Sequence, residues 1–201
     1  MTDLVKYEYE KLKYINLSRT NYTEINDFVA LDIETTGLSA KYNEIINIGA
    51  IRFRNNVPVD KLDMFIKPDR PIPAFITGIT GITNAMVGNA PSIDEVLPLL
   101  IDFIGNDIIL GHNVKFDINF INHAMEVNGF DKYITKYVDT VLIARRFRKN
   151  NSLQTLVKDY VNPDYVEKHQ GLDDALNTAR VFYVFKKMAA RDKLLNINTC
   201  D

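Results

Sequence analysis

Asp32-Ile33-Glu34 sets two carboxylates two residues apart at the end of the apolar run 28–33. If that run is a strand, its side chains alternate between faces and both acids point the same way. Two like charges held together repel one another and are costly to desolvate. A hard divalent cation that prefers oxygen ligands, Mg²⁺ or Mn²⁺, would offset that cost. A solvent-facing strand end with two unrelated charges fits the same spacing. Asp117 closes Gly111-His112-Asn113-Val114-Lys115-Phe116-Asp117 and falls in the first turn of a helix, where the dipole favours an anion. Ordinary capping accounts for an acid there equally well. In His169-Gln170-Gly171-Leu172-Asp173-Asp174 a histidine precedes a helix start that carries two adjacent acids, one more than capping asks for. An imidazole in such a cluster can take a proton from water, although a lone histidine is more often a core or surface residue.

These side chains need elements to position them. Residues 28–33 read as a buried strand ending in Thr35-Thr36-Gly37. Residues 45–53 read as a second strand, and Asn55-Asn56 as a hairpin turn into a third at about 58–66. Pro68, Pro71 and Pro73 then break regular structure, and the repeat in Thr77-Gly78-Ile79-Thr80-Gly81-Ile82-Thr83 reads as turn punctuation. Ser92-Ile93-Asp94-Glu95 has the capping-box pattern and opens a helix to about Ile104, which Pro98 should kink or shorten. Residues 107–111 form a short buried strand, after which Phe116, Phe120, Ile121, Ala124 and Met125 recur at helical spacing. Another helix starts at Ser152, and the last runs from about Leu172 to Arg191. A strand meander followed by alternating strands and helices predicts an α/β domain with a mixed sheet. Residues 1–26 show no clean period and are read as an N-terminal appendage, ahead of a domain over 27–192 and a tail over 193–201.

Composition bounds what this domain can be. The chain has 201 residues, 24 basic and 26 acidic, for a net charge of -2, with 46% hydrophobic residues. Those proportions exclude a disordered chain and a disulfide scaffold. No apolar stretch approaches the roughly 18 residues of a membrane span, and Met1–Glu8 has no apolar core of a secretory signal. The single cysteine, Cys200, cannot pair within the chain, so a cytoplasmic location is expected. Near-neutrality argues against coating nucleic acid by bulk charge, so any contact must be local. No G-x-x-x-x-G-K-[ST] loop and no G-x-G-x-x-G occurs, which sets aside P-loop and Rossmann chemistry.

Taken together, the motifs resemble the DnaQ-like 3′–5′ exonucleases of the DEDDh type. Asp32-Ile33-Glu34-Thr35-Thr36-Gly37-Leu38 is similar to that family's first motif, and Gly111-His112-Asn113 with Phe116-Asp117 to its second. His169, four residues and Asp174 match the H-x4-D of the third, while Thr80-Gly81-Ile82-Thr83 with Met86-Val87 and Val138-Asp139-Thr140 resemble lesser segments. The likeness covers roughly 27–190 and is nearest to the proofreading branch that serves bacterial replicative polymerases, the PolC type included. It implies an RNase H-like fold with a mixed five-stranded sheet flanked by helices. It also implies two divalent cations, with Asp32, Glu34 and Asp174 on the first, Asp32 bridging to the second, and Asp117 holding the second directly or through water. By the same resemblance His169 is the general base, and Thr35, Thr36, Gly37, Leu38, Thr80, Asn113 and Phe116 line the pocket for the terminal nucleotide.

The activity implied is release of mononucleotides from a single-stranded or frayed 3′ end of DNA, alone or as a DNA polymerase subunit. A ribonuclease on the same scaffold is the nearest rival, since only contact with the 2′-OH separates the two. A non-catalytic polymerase- or nucleic-acid-binding module is a more distant one, because none of the five signature residues is lost. The Tyr- and Lys-rich residues 1–26 are candidates for docking a partner. His112 is expected to be structural and His123 a surface residue. The basic run Arg145, Arg146, Arg148 and Lys149 either meets a phosphate backbone or simply ends a helix in solvent. Binding should be weak and short in footprint, with a shallow salt dependence.

Overall fold

Strand β2 (Phe28–Thr35) is the axis of the molecule, buried at every position except Asp32 and Glu34, which are half-buried. The computed structural model describes residues 14–19, 21–130, 134, 136–166 and 169–197, with helix side chains as far as Arg191. On one side of β2 lie antiparallel β3 (Ile45–Arg54) and β4 (Val57–Phe65). They are joined by Asn55 and Asn56, whose φ angles of 51° and 62° are what a tight hairpin turn demands. On the other side run β5 (Ile109–Gly111), β6 (Lys136–Asp139) and β1 (Ile15–Asn16), each parallel to its neighbour. The sheet order is β1-β6-β5-β2-β3-β4.

Helices cover both faces, which is why β2 reads as an almost unbroken apolar run. Its odd-numbered residues Val29, Leu31 and Ile33 pack against α3 (Ile93–Ile104) and α4 (Lys115–Val127). The even-numbered Phe28 and Ala30 pack against the long α7 (Gly171–Ile197), chiefly Ala175, Ala179 and Phe182. Asp32 and Glu34 continue that even-numbered series, so strand alternation alone points them toward the start of α7. The remaining α-helices among the described residues are α1 (Ala74–Thr80), α2 (Asn84–Val87), α5 (Thr140–Ala144) and α6 (Leu153–Tyr160).

The mixed sheet is as expected, but it has six strands and not five. The extra strand, β1, comes from the stretch read as an appendage. Leu17 N–H donates to the Tyr137 carbonyl at 2.9 Å, and Tyr22 is buried in the core beside Phe182. Residues 1–13, the end of the proposed tail (198–201) and Cys200 lie outside the described residues. The proline-rich stretch is more regular than its composition suggested. Pro73 sits at the N-cap of α1, where a missing N–H costs nothing, and Gly81, at φ 73°, closes the helix in the left-handed conformation. Thr77–Thr80 therefore belongs to a helix rather than a turn. Likewise α3 runs through Pro98 to Ile104, held at its start by the reciprocal Ser92–Glu95 capping box.

Candidate active site

The C-terminal ends of β2, β5 and β6 point the same way, and ligands in open α/β sheets collect at such ends. There Asp32 and Glu34 from β2, Asp117 from α4, His169 just before α7 and Asp174 in its first turn line one cavity of about 310 Å³. The sequence-predicted acids and histidine are thus brought together from four segments. Asn113 and Phe116 line the same cavity.

Backbone geometry holds the cluster in place. Asn113 and His169 adopt left-handed φ angles of 62° and 48°, conformations that cost a non-glycine residue of order 1–3 kcal/mol and persist only under surrounding constraint. For Asn113 that constraint is Asp139, whose carboxylate accepts the Asn113 N–H at 3.0 Å. For His169 it is the docking of α7 on the sheet. A Cβ on Gly49 would lie 2.0 Å from the Gly171 carbonyl carbon, and one on Gly171 would lie 3.0 Å from the Asp32 carbonyl oxygen. Two glycines therefore let the start of α7 rest directly on the backbone of β2 and β3. Asn47 adds a clasp. Its amide donates to Asp63 and to the Met64 carbonyl, both at 3.1 Å, and its oxygen accepts the Gly171 N–H at 3.3 Å.

The carboxylates differ in setting. Asp117 is buried at 4% exposure and accepts the Ile33 N–H at 3.0 Å. Burial, reinforced by nearby Asp139, pushes its carboxyl up to about 8. Asp174, also 4% exposed, accepts the Tyr165 hydroxyl at 2.9 Å. Ligand atoms of Glu34, His169 and Asp174 all lie within 4.8 Å of one another. An oxygen-rich donor set of this size fits a hard divalent cation, and bound positive charge would relieve the repulsion that burial otherwise sharpens.

His112, expected to be structural, is pinned by Thr140, with Nδ1 2.9 Å from its hydroxyl. Burial holds its ring down to about 4, against the pull of the Asn151 carbonyl toward the charged form, so it stays neutral. It nonetheless lines the cavity, as do Ser152 and Leu153 at the start of α6. Sequence reasoning missed Ser152, Leu153 and Tyr165, whose only local signals were a helix cap and a loop aromatic.

The remaining expected pocket residues stand apart. Thr80 lines a second cavity, with Gln170, Leu172 and Asp173. Thr35 and Thr36 are buried and turn their hydroxyls to the neighbouring loop, on the Gly37 carbonyl at 2.6 Å and the Glu44 N–H at 2.9 Å. Gly37 packs against Asn43, where a Cβ would meet the amide at 2.6 Å. Leu38 is 89% exposed. His123 is partly exposed, 3.7 Å from Glu126.

Known proteins resemble this chain in sequence and in fold. The family model described as Exonuclease (RNase_T) matches residues 29–182. The DNA polymerase III PolC-type of Latilactobacillus sakei subsp. sakei is 37% identical over 185 residues, 90% of this chain and 13% of that protein. That of Thermotoga petrophila is 39% identical over 182 residues, 86% of this chain and 13% of that protein. The chain thus spans about an eighth of these curated relatives. Among solved structures, Exonuclease X in complex with 5′ overhanging duplex DNA superposes with a TM-score of 0.64 at 24% identity, covering 81% of this chain and 93% of that one. The nuclease domain of 3′hExo, a DEDDh family member bound to rAMP, superposes with 0.67 at 20% identity, covering 82% and 92%. At those identities the likeness concerns the fold, which is that of the RNase H-like exonucleases.

Proposed function

Because this chain belongs to the RNase_T family of exonucleases, we propose that it hydrolyses DNA from the 3′ end and releases nucleoside monophosphates one at a time. The carrying observation is the convergence of Asp32, Glu34, Asp117, His169 and Asp174 on a single cavity. Asp32, Glu34 and Asp174 would hold one divalent cation, and Asp32 with Asp117 a second. Mg²⁺ or Mn²⁺ ions held there would supply an acidified water and stabilise charge at the attacking and leaving oxygens.

The chain's own residues do the rest. His169, held at the cavity edge by its left-handed backbone, takes the proton from the attacking water. The new P–O bond forms as the bond to the 3′-oxygen of the penultimate nucleotide breaks, and that oxygen takes a proton from water as it leaves, while His169 returns its own proton to solvent. Phe116, half-buried with its ring 4.8 Å from that of Phe120, offers a flat apolar wall for the terminal base, and Asn113 a polar contact. The exposed Leu38 would reach the same nucleotide from the loop after β2, a loop that the buried Thr35 and Thr36 and the tightly packed Gly37 hold in shape, and Thr80 would border the second cavity. The relatives are DNA polymerases of the PolC type, so proofreading beside a polymerase in the cytoplasm is the role this site suits.

The test is degradation of matched 3′-labelled and 5′-labelled DNA and RNA oligonucleotides with Mg²⁺ or Mn²⁺ and with EDTA. Stepwise loss from the 3′ end of DNA, abolished by EDTA, is the expected outcome. Faster loss from RNA would assign the protein to exoribonucleases on the same scaffold. Binding without any cleavage would leave only a nucleic-acid-binding module.

A further inference from the structure

Arg145-Arg146-Phe147-Arg148-Lys149 puts four cations into five residues of a chain whose net charge is -2. They open the loop between α5 and α6, and that loop is tied to the active-site cavity at both ends. At its far end Ser152 caps α6, accepting the Thr155 N–H at 3.3 Å, and both Ser152 and Leu153 line the cavity. One residue earlier, the Asn151 carbonyl faces the ring of His112, another lining residue. At its near end Asp139 caps α5, accepting the Val141 N–H at 2.9 Å, and it also accepts the N–H of the lining residue Asn113. Arg145 stands close enough to favour the charged form of that Asp139 carboxylate.

The five residues divide their work. Phe147 is turned inward, stacked on Phe185 at 5.7 Å. The Arg148 guanidinium is committed to Asp159 and lies 5.8 Å from the Tyr160 ring centre. Arg145, Arg146 and Lys149 are exposed. Lys149 precedes Ser152 by three residues, so their Cα atoms are at most about 11 Å apart. The cavity itself is lined by four carboxylates, with no lysine or arginine among its described lining residues. Acids that collect cations and a cationic loop beside them call for a ligand that bridges the two, a polyanion whose end is processed in the cavity while its body lies along the loop.

We infer that the α5–α6 loop is a contact for the phosphodiester backbone of the substrate strand, with Arg145, Arg146 and Lys149 holding phosphates on the 5′ side of the bond that is cut. This rests on the nuclease function proposed above. Phosphate contacts position a strand without reading its bases, which suits an enzyme that must accept any 3′ end.

Equilibrium binding of a fluorescein-labelled oligothymidylate, followed by anisotropy across a salt series in Ca²⁺, needs no turnover and tests the loop directly. Each cation on a single strand contributes about 0.7 to the slope of log affinity against log salt. The combined variant Arg145→Gln, Arg146→Gln, Lys149→Gln should therefore show a slope shallower by about 2 than the parent, with affinity down about tenfold at low salt. Arg146 lies over the Tyr22 ring at 5.8 Å, so the double variant Arg145→Gln, Lys149→Gln covers the case in which the triple one misfolds. Arg148→Gln, which removes a committed cation, should leave the slope unchanged while lowering the melting temperature. Slopes equal to the parent's in the triple and double variants would overturn the inference. A parent that binds with the steeper slope yet releases no nucleotide would sink the hydrolytic function and still support the loop's role.

Discussion

The two ends of the central strands treat charge in opposite ways. At the end where β2 begins and β3 finishes, opposite charges and polar partners meet. Asp107 receives Arg52 at 3.4 Å and Arg54 at 2.8 Å. Lys186, 8% exposed, donates to the Ile25 carbonyl at 2.7 Å and to the side-chain oxygens of Asn26 and Asn56 at 2.5 and 2.8 Å. At the other end Asp32, Glu34, Asp117 and Asp174 gather around one cavity with no lysine or arginine among its described lining. Opposite charges brought together offset the cost of burial, whereas like charges crowded together add to it. The first end therefore serves folding, and the second gives up stability to hold together the four carboxylates to which the proposed function assigns divalent cations.

That contrast can be broken at several points. The largest effect should come from Asp32→Ala or Asp174→Ala, each removing nearly all 3′-end release while the thermal melt of the metal-free protein stays level or rises. A melt that collapses in both variants would mean that these acids serve the fold. Next, His169→Ala should slow release by about 10²–10⁴-fold with oligonucleotide affinity retained, the usual worth of a general base. Single-turnover kinetics would separate the two, and a full rate would dismiss the imidazole as base.

At the opposite end, Lys186→Met should leave three oxygens without their donor and cost about 2 kcal/mol in a denaturant melt, with kcat per folded molecule unaltered. Asp117 offers a finer probe. Its carboxyl is raised from 3.8 to about 8 by burial, so between those values the folded chain binds more protons than the unfolded one. Its contribution to stability is therefore lost as pH rises through that window. His112, lowered from 6.5 to about 4, has the opposite sign and offsets this below about pH 6.5. In EDTA the protein should lose stability from about pH 6.5 to 8, and Asp117→Asn should flatten that fall. The smallest effect belongs to Leu38→Ala: at 89% exposure it should move stability by less than about 0.5 kcal/mol, while raising KM if the side chain borders the terminal nucleotide.

The sequence disclosed some of this more readily than the rest, for physical reasons. Asp32 and Glu34 were legible because strand alternation is strictly local, and the same rule put them on the face that α7 covers. His169 and Asp174 were legible because a helix start carries its own signals. The strand β1 was not, since two residues paired with Lys136 and Tyr137 more than a hundred positions away leave no periodicity behind. Helix α1 hid behind prolines that normally end helices but here precede one. Tyr165 was invisible because its contact with Asp174 depends on how the loop before α7 folds back. The buried hydroxyls of Thr35 and Thr36 depend in the same way on the turn that follows β2.

The bare backbone contact between Gly49 and Gly171 has a consequence for synthesis. Asp32 and Glu34 leave the ribosome about 140 residues before Asp174 does. Until the last helix settles against that glycine pair, the acids on the strand face no histidine and no fourth carboxylate. A nascent chain that stops short of α7 therefore holds only one side of the cavity, and the activity proposed above would be absent from it. The two sides of the cavity meet only when α7 arrives.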